Sequence, residues 1–308
     1  MKKIISGTLC FLALVCLVSL VYAQGSYAEI FDTSSDAGNL TARFLQLNTT
    51  TGDKSGDATI LTSPDGKVML IDAGDPAAGG QAVTALKAMG ITRIDYLVAS
   101  HPHVDHIGSF PAVMQAFEIG QVMTSYVEYP TPYYDAYMAE IAYRGLEHVY
   151  LAQGDAFSFG DSVTVEVFWP NSEIEYYDGY PQSSTQFINN NSLLMKFTYR
   201  DSTMLFGGDL YTAVEREIVS LYGDALDCDV LKANHHGDRT SSSKPFREAV
   251  SPQITVMISD TLSDLNTYQK LQKICSVFIT HYHGDVKVWT NGDGTYQVLT
   301  LWSWSFDI

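Results

Sequence analysis

The chain has 308 residues, 46% of them hydrophobic, enough for a sizeable core in one large domain or two ordinary ones. Lys and Arg number 18 against 35 Asp and Glu, a formal charge of −17. Such a surface repels polyanions and offers no electrostatic footprint for nucleic acid.

Residues 1–23 read as a signal peptide. Lys2 and Lys3 form a positive start, residues 4–21 are almost wholly apolar, and Ala23 ends a small-residue cleavage pattern before Gln24. The apolar stretch is long for a secretory core and borderline for a membrane span. The expectation is cleavage and export to the periplasm, cell surface or medium. A retained segment would instead anchor the chain, its only membrane contact. A lipoprotein anchor is disfavoured because Val15, not a small residue, precedes Cys16. Losing Lys2 and Lys3 takes the balance from −17 to −19. Cys10 and Cys16 leave with the segment, so only Cys228 and Cys275 remain, either as one disulfide or as two buried thiols. The fold must stand on its core.

Residues 24–39 are polar and read as a linker into a single domain over 40–308. Alternating or fully apolar runs predict strands at 40–47, 58–63 and 68–71, with Pro64-Asp65-Gly66-Lys67 as a hairpin turn. Helical spacing at 81–89 stops at Gly90, and a strand follows at 94–99. Further on come a short helix at 110–117, a strand at 121–127 and helical spacing at 136–146. Tyr129, Tyr133, Tyr134, Tyr137, Tyr143 and Tyr150 cluster here as packing residues, some of them candidates to line a pocket. Strands at 155–159 and 163–169 precede a long polar, tyrosine-rich loop at 171–186. The second half repeats the alternation, with strands at 192–199, 203–206, 229–233 and 253–258 and helices at 213–221 and 244–249. Terminal strands are expected around 277–279, 285–289 and 297–301. Strands alternating with helices in both halves predict two sheets packed face to face with helices outside.

Chemistry concentrates where apolar strands end. Asp72 follows one at Ile71, and Asp209 follows Phe206-Gly207-Gly208. His235 and His236 follow Leu231-Lys232-Ala233-Asn234. The densest junction is Ser100-His101-Pro102-His103-Val104-Asp105-His106-Ile107, which holds three of the chain's 8 histidines beside a carboxylate. Imidazoles suit zinc, and adjacent carboxylates suit a second divalent ion. One ion needs three protein ligands and an open position, so this larger set fits two ions sharing a carboxylate. No G-x-S-x-G elbow supports serine chemistry. His281-Tyr282-His283-Gly284-Asp285 mimics the dense motif without its last histidine and reads as a turn.

The ordered set, His-x-His-x-Asp-His, then Gly-Gly-Asp, then a later His, resembles the metallo-β-lactamase superfamily. Within it, Gly56-Asp57-Ala58, Asn191-Ser192-Leu193 and Leu231-Lys232-Ala233-Asn234-His235-His236-Gly237 are similar to two relatives. These are the hydrolase domain of competence-type DNA-uptake channels and the catalytic domain of the choline-binding phosphorylcholine esterase. The similarity runs from about Phe44 to Trp289. It implies an α/β (α+β) fold, a four-layer αββα sandwich. It also implies that His101 and His103 hold one zinc ion while Asp105, His106 and His236 hold another, with Asp209 bridging. Manganese(II) or iron(II) could serve in zinc's place. Asp105, Asp209 and His235 would be the catalytic groups, with His235 facing the substrate or standing behind the ligands. Asp72 and Asn191 would orient ligands, and Asp57 would sit near the rim, or merely in a turn. Many members carry one more ligand histidine ahead of the bridging aspartate; here that region reads Phe187-Ile188-Asn189-Asn190-Asn191-Ser192. Open coordination positions suit ester chemistry. The expected function is therefore an exported two-zinc phosphodiesterase, in which metal-activated hydroxide attacks a small-molecule or surface ester. Nuclease action, lactam or lactone hydrolysis, and a degenerate surface-binding module are the alternatives.

Overall fold

The computed structural model describes residues 20–49 and 54–304. In chain order the strands are β1 (Leu20–Gln24), β2 (Leu40–Phe44), β3 (Thr59–Thr62), β4 (Val68–Ile71), β5 (Arg93–Ala99), β6 (Glu118–Ser125), β7 (Glu147–Leu151), β8 (Ala156–Phe159), β9 (Val163–Trp169), β10 (Leu194–Tyr199), β11 (Ser202–Phe206), β12 (Val230–Lys232), β13 (Ile254–Met257), β14 (Ser276–Ile279), β15 (Val286–Thr290) and β16 (Tyr296–Thr300). The helices are α1 (Tyr27–Phe31), α2 (Gly79–Ala88), α3 (Val104–Ile107), α4 (Phe110–Ala116), α5 (Pro132–Arg144), α6 (Thr185–Asn189), α7 (Thr212–Tyr222), α8 (Lys244–Val250), α9 (Leu265–Gln272) and α10 (Thr280–His283).

Two sheets result, one in the order β1-β16-β15-β2-β3-β4-β5-β6-β7, the other β14-β13-β12-β11-β10-β9-β8. Their inner faces share one apolar layer, in which Phe44 of the first sheet stacks on Phe206 of the second at 6.0 Å. The first sheet's outer face packs on α2, α4 and α5 through Leu86, Phe110 and Tyr137. The second packs on α7 and α8 through Ile218 and Phe246. This is the αββα sandwich that the strand–helix alternation predicts. β4, with every residue buried, is apolar throughout, whereas β9 alternates buried and exposed positions over its first four residues. Among the described residues, no helix is long and apolar enough to cross a membrane.

Several expectations need correction. The segment 24–39 is not a linker. Ser26 and Glu29 form a capping box that starts α1, and α1 buries Ile30 and Phe31. Arg43, fully buried on β2, then staples the segment down. Its Nη1 and Nη2 donate to the two carboxylate oxygens of Asp36 at 2.9 and 2.8 Å, and its Nε donates to Ile30 O at 2.7 Å. Lys287 of β15 adds donors to Asp32 O and Ser35 Oγ. The proposed signal lies outside the described residues up to residue 19; its last residues form most of β1, which pairs in parallel with β16. Cleavage after Ala23 would remove most of that edge strand, whose Val21 and Tyr22 are exposed. β7 and α9 are elements that periodicity did not reveal. Cys228 and Cys275 are both free thiols. The 281–285 motif begins inside the one-turn helix α10, where buried His283 sets its Nδ1 3.0 Å from both N and O of Ile279.

Two stability predictions come from buried charge. Asp36→Ala strands Arg43 and Lys287 without their carboxylate and is expected to destabilise the fold by roughly 3–5 kcal/mol, read by urea unfolding. An unchanged midpoint would contradict the staple. Asp285 is buried and accepts from Gln46 N at 2.8 Å. Burial raises its carboxyl from 3.8 to about 6, against the lowering effect of the Gln46 N–H. The folded form holds its proton where the unfolded form has lost it, so this contribution is complete below 3.8 and lost as pH rises through about 6. Asp285→Asn keeps the acceptor for Gln46 and removes the charge. It is expected to stabilise at pH 8 by roughly 2–3 kcal/mol and hardly at pH 4. Equal effects at the two pH values would overturn it.

Candidate metal centre

The site forms where parallel strands of both sheets end together. β4 and β5 run parallel in the first sheet, and β11, β12 and β13 run parallel in the second. Their C-terminal ends release Asp72, the 100–107 segment, Asp209 and the 234–237 turn into one place. Backbone hydrogen bonds lock these loops to one another: Leu193 N to Ser100 O at 2.8 Å, Ala73 N to His106 O at 2.8 Å and His235 N to Gly208 O at 3.0 Å. Asp72, His235 and His236 take left-handed backbone with φ of 58°, 48° and 54°, a strained choice for non-glycine residues that marks functional turns. Gly56 has φ +82°, and a Cβ there would lie 1.6 Å from Asp105 O; only glycine lets the 54–57 loop close over α3.

Asp209 is the hub. Its Oδ2 lies 3.4 Å from Nε2 of His106, 3.4 Å from Nε2 of His236, 3.8 Å from Nε2 of His235 and 3.9 Å from Nε2 of His101. Asp105 Oδ2 stands 3.6 Å from His236 Nε2, and His103 Nδ1 stands 3.0 Å from His101 Nε2. Among the described residues, groups that could share an ion are His101, His106 and Asp209; Asp105, His106 and His236; Asp57, Asp72 and His106; and Asp57, Asp209 and His236. The structure thus brings together all six residues expected to ligate metal, with His103 joined through His101. His236 faces Asp105 and Asp209, whereas His235 turns to the main cavity and stacks on Tyr211, with Nδ1 2.5 Å from Thr240 Oγ1.

Behind the ligands, Asp72 Oδ2 stands 2.8 Å from His106 Nδ1 and also accepts from Ser100 Oγ at 2.7 Å. Asp57 Oδ1 stands 2.9 Å from His236 Nδ1. Asp57 is therefore a buried orienting carboxylate and not a turn residue. Each carboxylate directs its imidazole's Nε2 inward, the arrangement that fixes a ligand histidine. Asn191 does not join them: its Nδ2 donates to Phe187 O at 2.9 Å. The residue of that run lining the cavity is Asn189.

Sequence reasoning also passed over Lys232, which is 3% exposed. It forms an ion pair with Asp57, donates to Gly208 O at 3.0 Å and lies 3.8 Å from Asp209 Oδ1. A lysine inside the apolar run Val230-Leu231-Lys232-Ala233 was the available signal, because a buried ammonium requires a carboxylate partner.

Charge divides the imidazoles into two pairs. Burial opposes protonation of His106, but Asp209, Asp72 and Asp105 outweigh it and hold the ring's pKa well above its ordinary value. Asp209 and Asp57 do the same for His236. Burial dominates at His101, held well below the usual range, and at His103, lowered to about 4. Asp209 stays ionised because His236 and His106 outweigh its burial.

Nε2 of His103, His106 and His236 and Oδ1 of Asp209 are buried without a hydrogen-bond partner among the described residues. Buried polar atoms are nearly always satisfied, so inward-facing orphans on imidazole and carboxylate fit divalent ions. A cavity of about 740 Å³ opens over this cluster, lined by Asp105, Asp209, His103 and His235 on its floor and by Tyr129 and Tyr133 on its wall. A smaller cleft of about 250 Å³ meets it at His235 and is lined by Asp238, Ser259 and Asp260.

Comparisons with known proteins bear on the fold. Residues 51–172 match the model of the metallo-beta-lactamase superfamily. Competence protein ComA of Neisseria gonorrhoeae is 29% identical over 211 residues, covering 68% of this chain and 26% of that protein. ComE operon protein 3 of Bacillus subtilis is 22% identical over 172 residues, covering 56% and 21%. The chain therefore spans about a quarter of the length of these curated relatives. Among solved structures, a mutant of CmlA, the β-hydroxylase of Streptomyces venezuelae, superposes with a TM-score of 0.50 at 11% identity, over 80% of this chain and 53% of that one. The motifs, the two-sheet sandwich and the family match over residues 51–172 together make this chain similar to the metallo-beta-lactamase superfamily of metal-dependent hydrolases.

Proposed function

We propose that the protein is an exported phosphodiesterase that works with two zinc ions. The observation that carries the reading is the buried Asp209 carboxylate, ringed by four imidazoles and open to a cavity large enough for an ester substrate. His101 and His103 would hold one ion, Asp105, His106 and His236 the other, and Asp209 would be shared. Bound there, divalent ions would supply Lewis acidity and lower the pKa of a water.

The chain's own residues account for the rest. Asp72 and Asp57 hold the Nδ1 edges of His106 and His236, so both Nε2 atoms are preset. His106 and His236 must shed protons when an ion binds, which makes affinity fall as pH falls. Lys232 offsets the charge of Asp57 and Asp209 and tethers the Gly208 carbonyl. His235 stands at the meeting of the two clefts, with a ring kept largely neutral by burial and an Nε2 available to a leaving group or water. His103 lines the cavity, so an ion held there would be reachable by a substrate oxygen. The acidic balance favours a small or surface-borne ester over a polyanion. A nuclease is the second reading, supported by similarity to a competence protein. Export rests on the basic and apolar pattern of the N-terminus.

Asp209→Asn is expected to lower turnover of bis(4-nitrophenyl) phosphate by about a thousandfold or more, and chelation to abolish it until zinc, manganese or iron is returned. Activity that survives both treatments would end the reading. Lys232→Met leaves Asp57 and Asp209 without their cation. It is expected to cut zinc affinity by about 10–100-fold, measured by competition with a chromogenic chelator. Unchanged affinity would show that Lys232 does not position the ligands.

A further inference from the structure

Asn189 ends α6, on the turn that leads into β10. The backbone of this turn is pinned from several sides. Asn189 O accepts from Ser192 N at 3.1 Å and from Ser192 Oγ at 2.8 Å, and Ser192 Oγ in turn accepts from Asp209 N at 3.2 Å. Trp169 Nε1 donates to Asn190 O at 2.6 Å, and Tyr211 N donates to Asn190 Oδ1 at 3.2 Å. The turn is thus tied directly to the loop that carries the hub carboxylate.

The Asn189 side chain is 1% exposed, yet its Oδ1 has no hydrogen-bond partner among the described residues. The residue lines the cavity beside His103, Asp209 and His235. A buried amide oxygen without a partner is costly, and the pinned turn fixes the backbone from which the carboxamide projects. Its partner therefore comes from outside the chain. Oδ1 can be met only by a donor, whereas the non-bridging oxygens of a phosphoester are themselves acceptors, so such a ligand would be met by Nδ2. A half-turn of the carboxamide places Nδ2 where Oδ1 lies.

We propose that Asn189 is a substrate-binding residue whose carboxamide donates to a non-bridging phosphoryl oxygen, on the side where His101 and His103 lack a further imidazole. The inference rests on the phosphodiesterase reading. A neutral donor recognises an anionic oxygen without adding a metal ligand, so phosphoryl binding and metal binding are separable at this position. Hydrogen bonds to that oxygen strengthen as negative charge grows on it.

The test uses zinc-loaded protein, bis(4-nitrophenyl) phosphate as substrate and inorganic phosphate as a competing anion. Asn189→Ala is expected to lower kcat/KM on the order of tenfold or more and to weaken phosphate inhibition to a similar degree, with zinc content and Tm held at wild-type values. Asn189→Asp keeps the shape but presents a carboxylate, and is expected to lose phosphate binding further still. Asn189→Ala that leaves both kcat/KM and phosphate inhibition within twofold of wild type would overturn the assignment. Loss of zinc from Asn189→Ala would also overturn it, by making the residue a metal-site element. Should the wild-type enzyme cleave no phosphodiester, the phosphodiesterase reading falls. The Asn189 inference is then judged by phosphate binding to the zinc-loaded protein alone, where equal affinity of wild type and Asn189→Ala defeats it.

Discussion

One constraint governs the molecule: a carboxylate, Asp209, must stay ionised inside the protein, 3.4–3.9 Å from four imidazoles. Water would stabilise that charge, but the sandwich removes the water. The groups that replace it come from loops on both sheets, so neither sheet can hold the site alone. This explains why the loops are bonded to one another as well as to their own strands. Ser100 O takes Leu193 N from the second sheet's loop, and Asp105 O takes Asp57 N. Strained backbone at Asp72, His235 and His236 is tolerated because these cross-bonds leave no alternative path.

The electrostatic design is uneven, and the unevenness is informative. His106 and His236 each rest on a buried carboxylate, and Asp57, the one behind His236, is itself balanced by Lys232. Among the described residues His101 has only the hydroxyl of Ser100 against its Nδ1 at 3.1 Å, and His103 leans on His101 and on the edge of Tyr129. An imidazole backed by a carboxylate is the more basic ligand and the better oriented one. The half of the centre built on His106 and His236 is thus tightly specified. His101 and His103 lack such a carboxylate among the described residues; of these two, His103 lines the cavity.

Legibility in the sequence followed the range of the interactions. Strands with a strict apolar pattern, such as β4 and β9, and the polar groups just past their ends could be read locally. That was enough for two sheets with helices outside and for the metal-competent junctions; the ligand assignments came from the resemblance. Residues whose role depends on a distant partner could not be read that way. Arg43 looks like an ordinary polar position in an alternating strand until Asp36 folds back over it. The 24–39 stretch looked like a linker because its apolar content is small, and its order comes from that ion pair and a capping box. Asp57 could be a turn residue until His236 reaches it across 179 positions. In the asparagine run, spacing cannot say which carboxamide faces inward; the curl of α6 turns Asn189 to the cavity and Asn191 back to Phe187.

Lys232 joins these threads. A lysine in the middle of three parallel strands would normally be excluded from the interior, since burying an ammonium without a partner is prohibitive. Here it sits beneath the site, paired with Asp57, near Asp209 and bonded to the Gly208 carbonyl. On Asp209 its charge lies nearest Oδ1, whereas the imidazoles gather around Oδ2. It balances carboxylates that divalent ions would otherwise have to neutralise alone. The same contact fixes Gly208, whose φ of +51° turns the chain so that Asp209 points at the histidines. One buried cation therefore links the backbone turn, the orienting carboxylate and the hub, and a change there should be felt by the metal centre before it is felt by the fold.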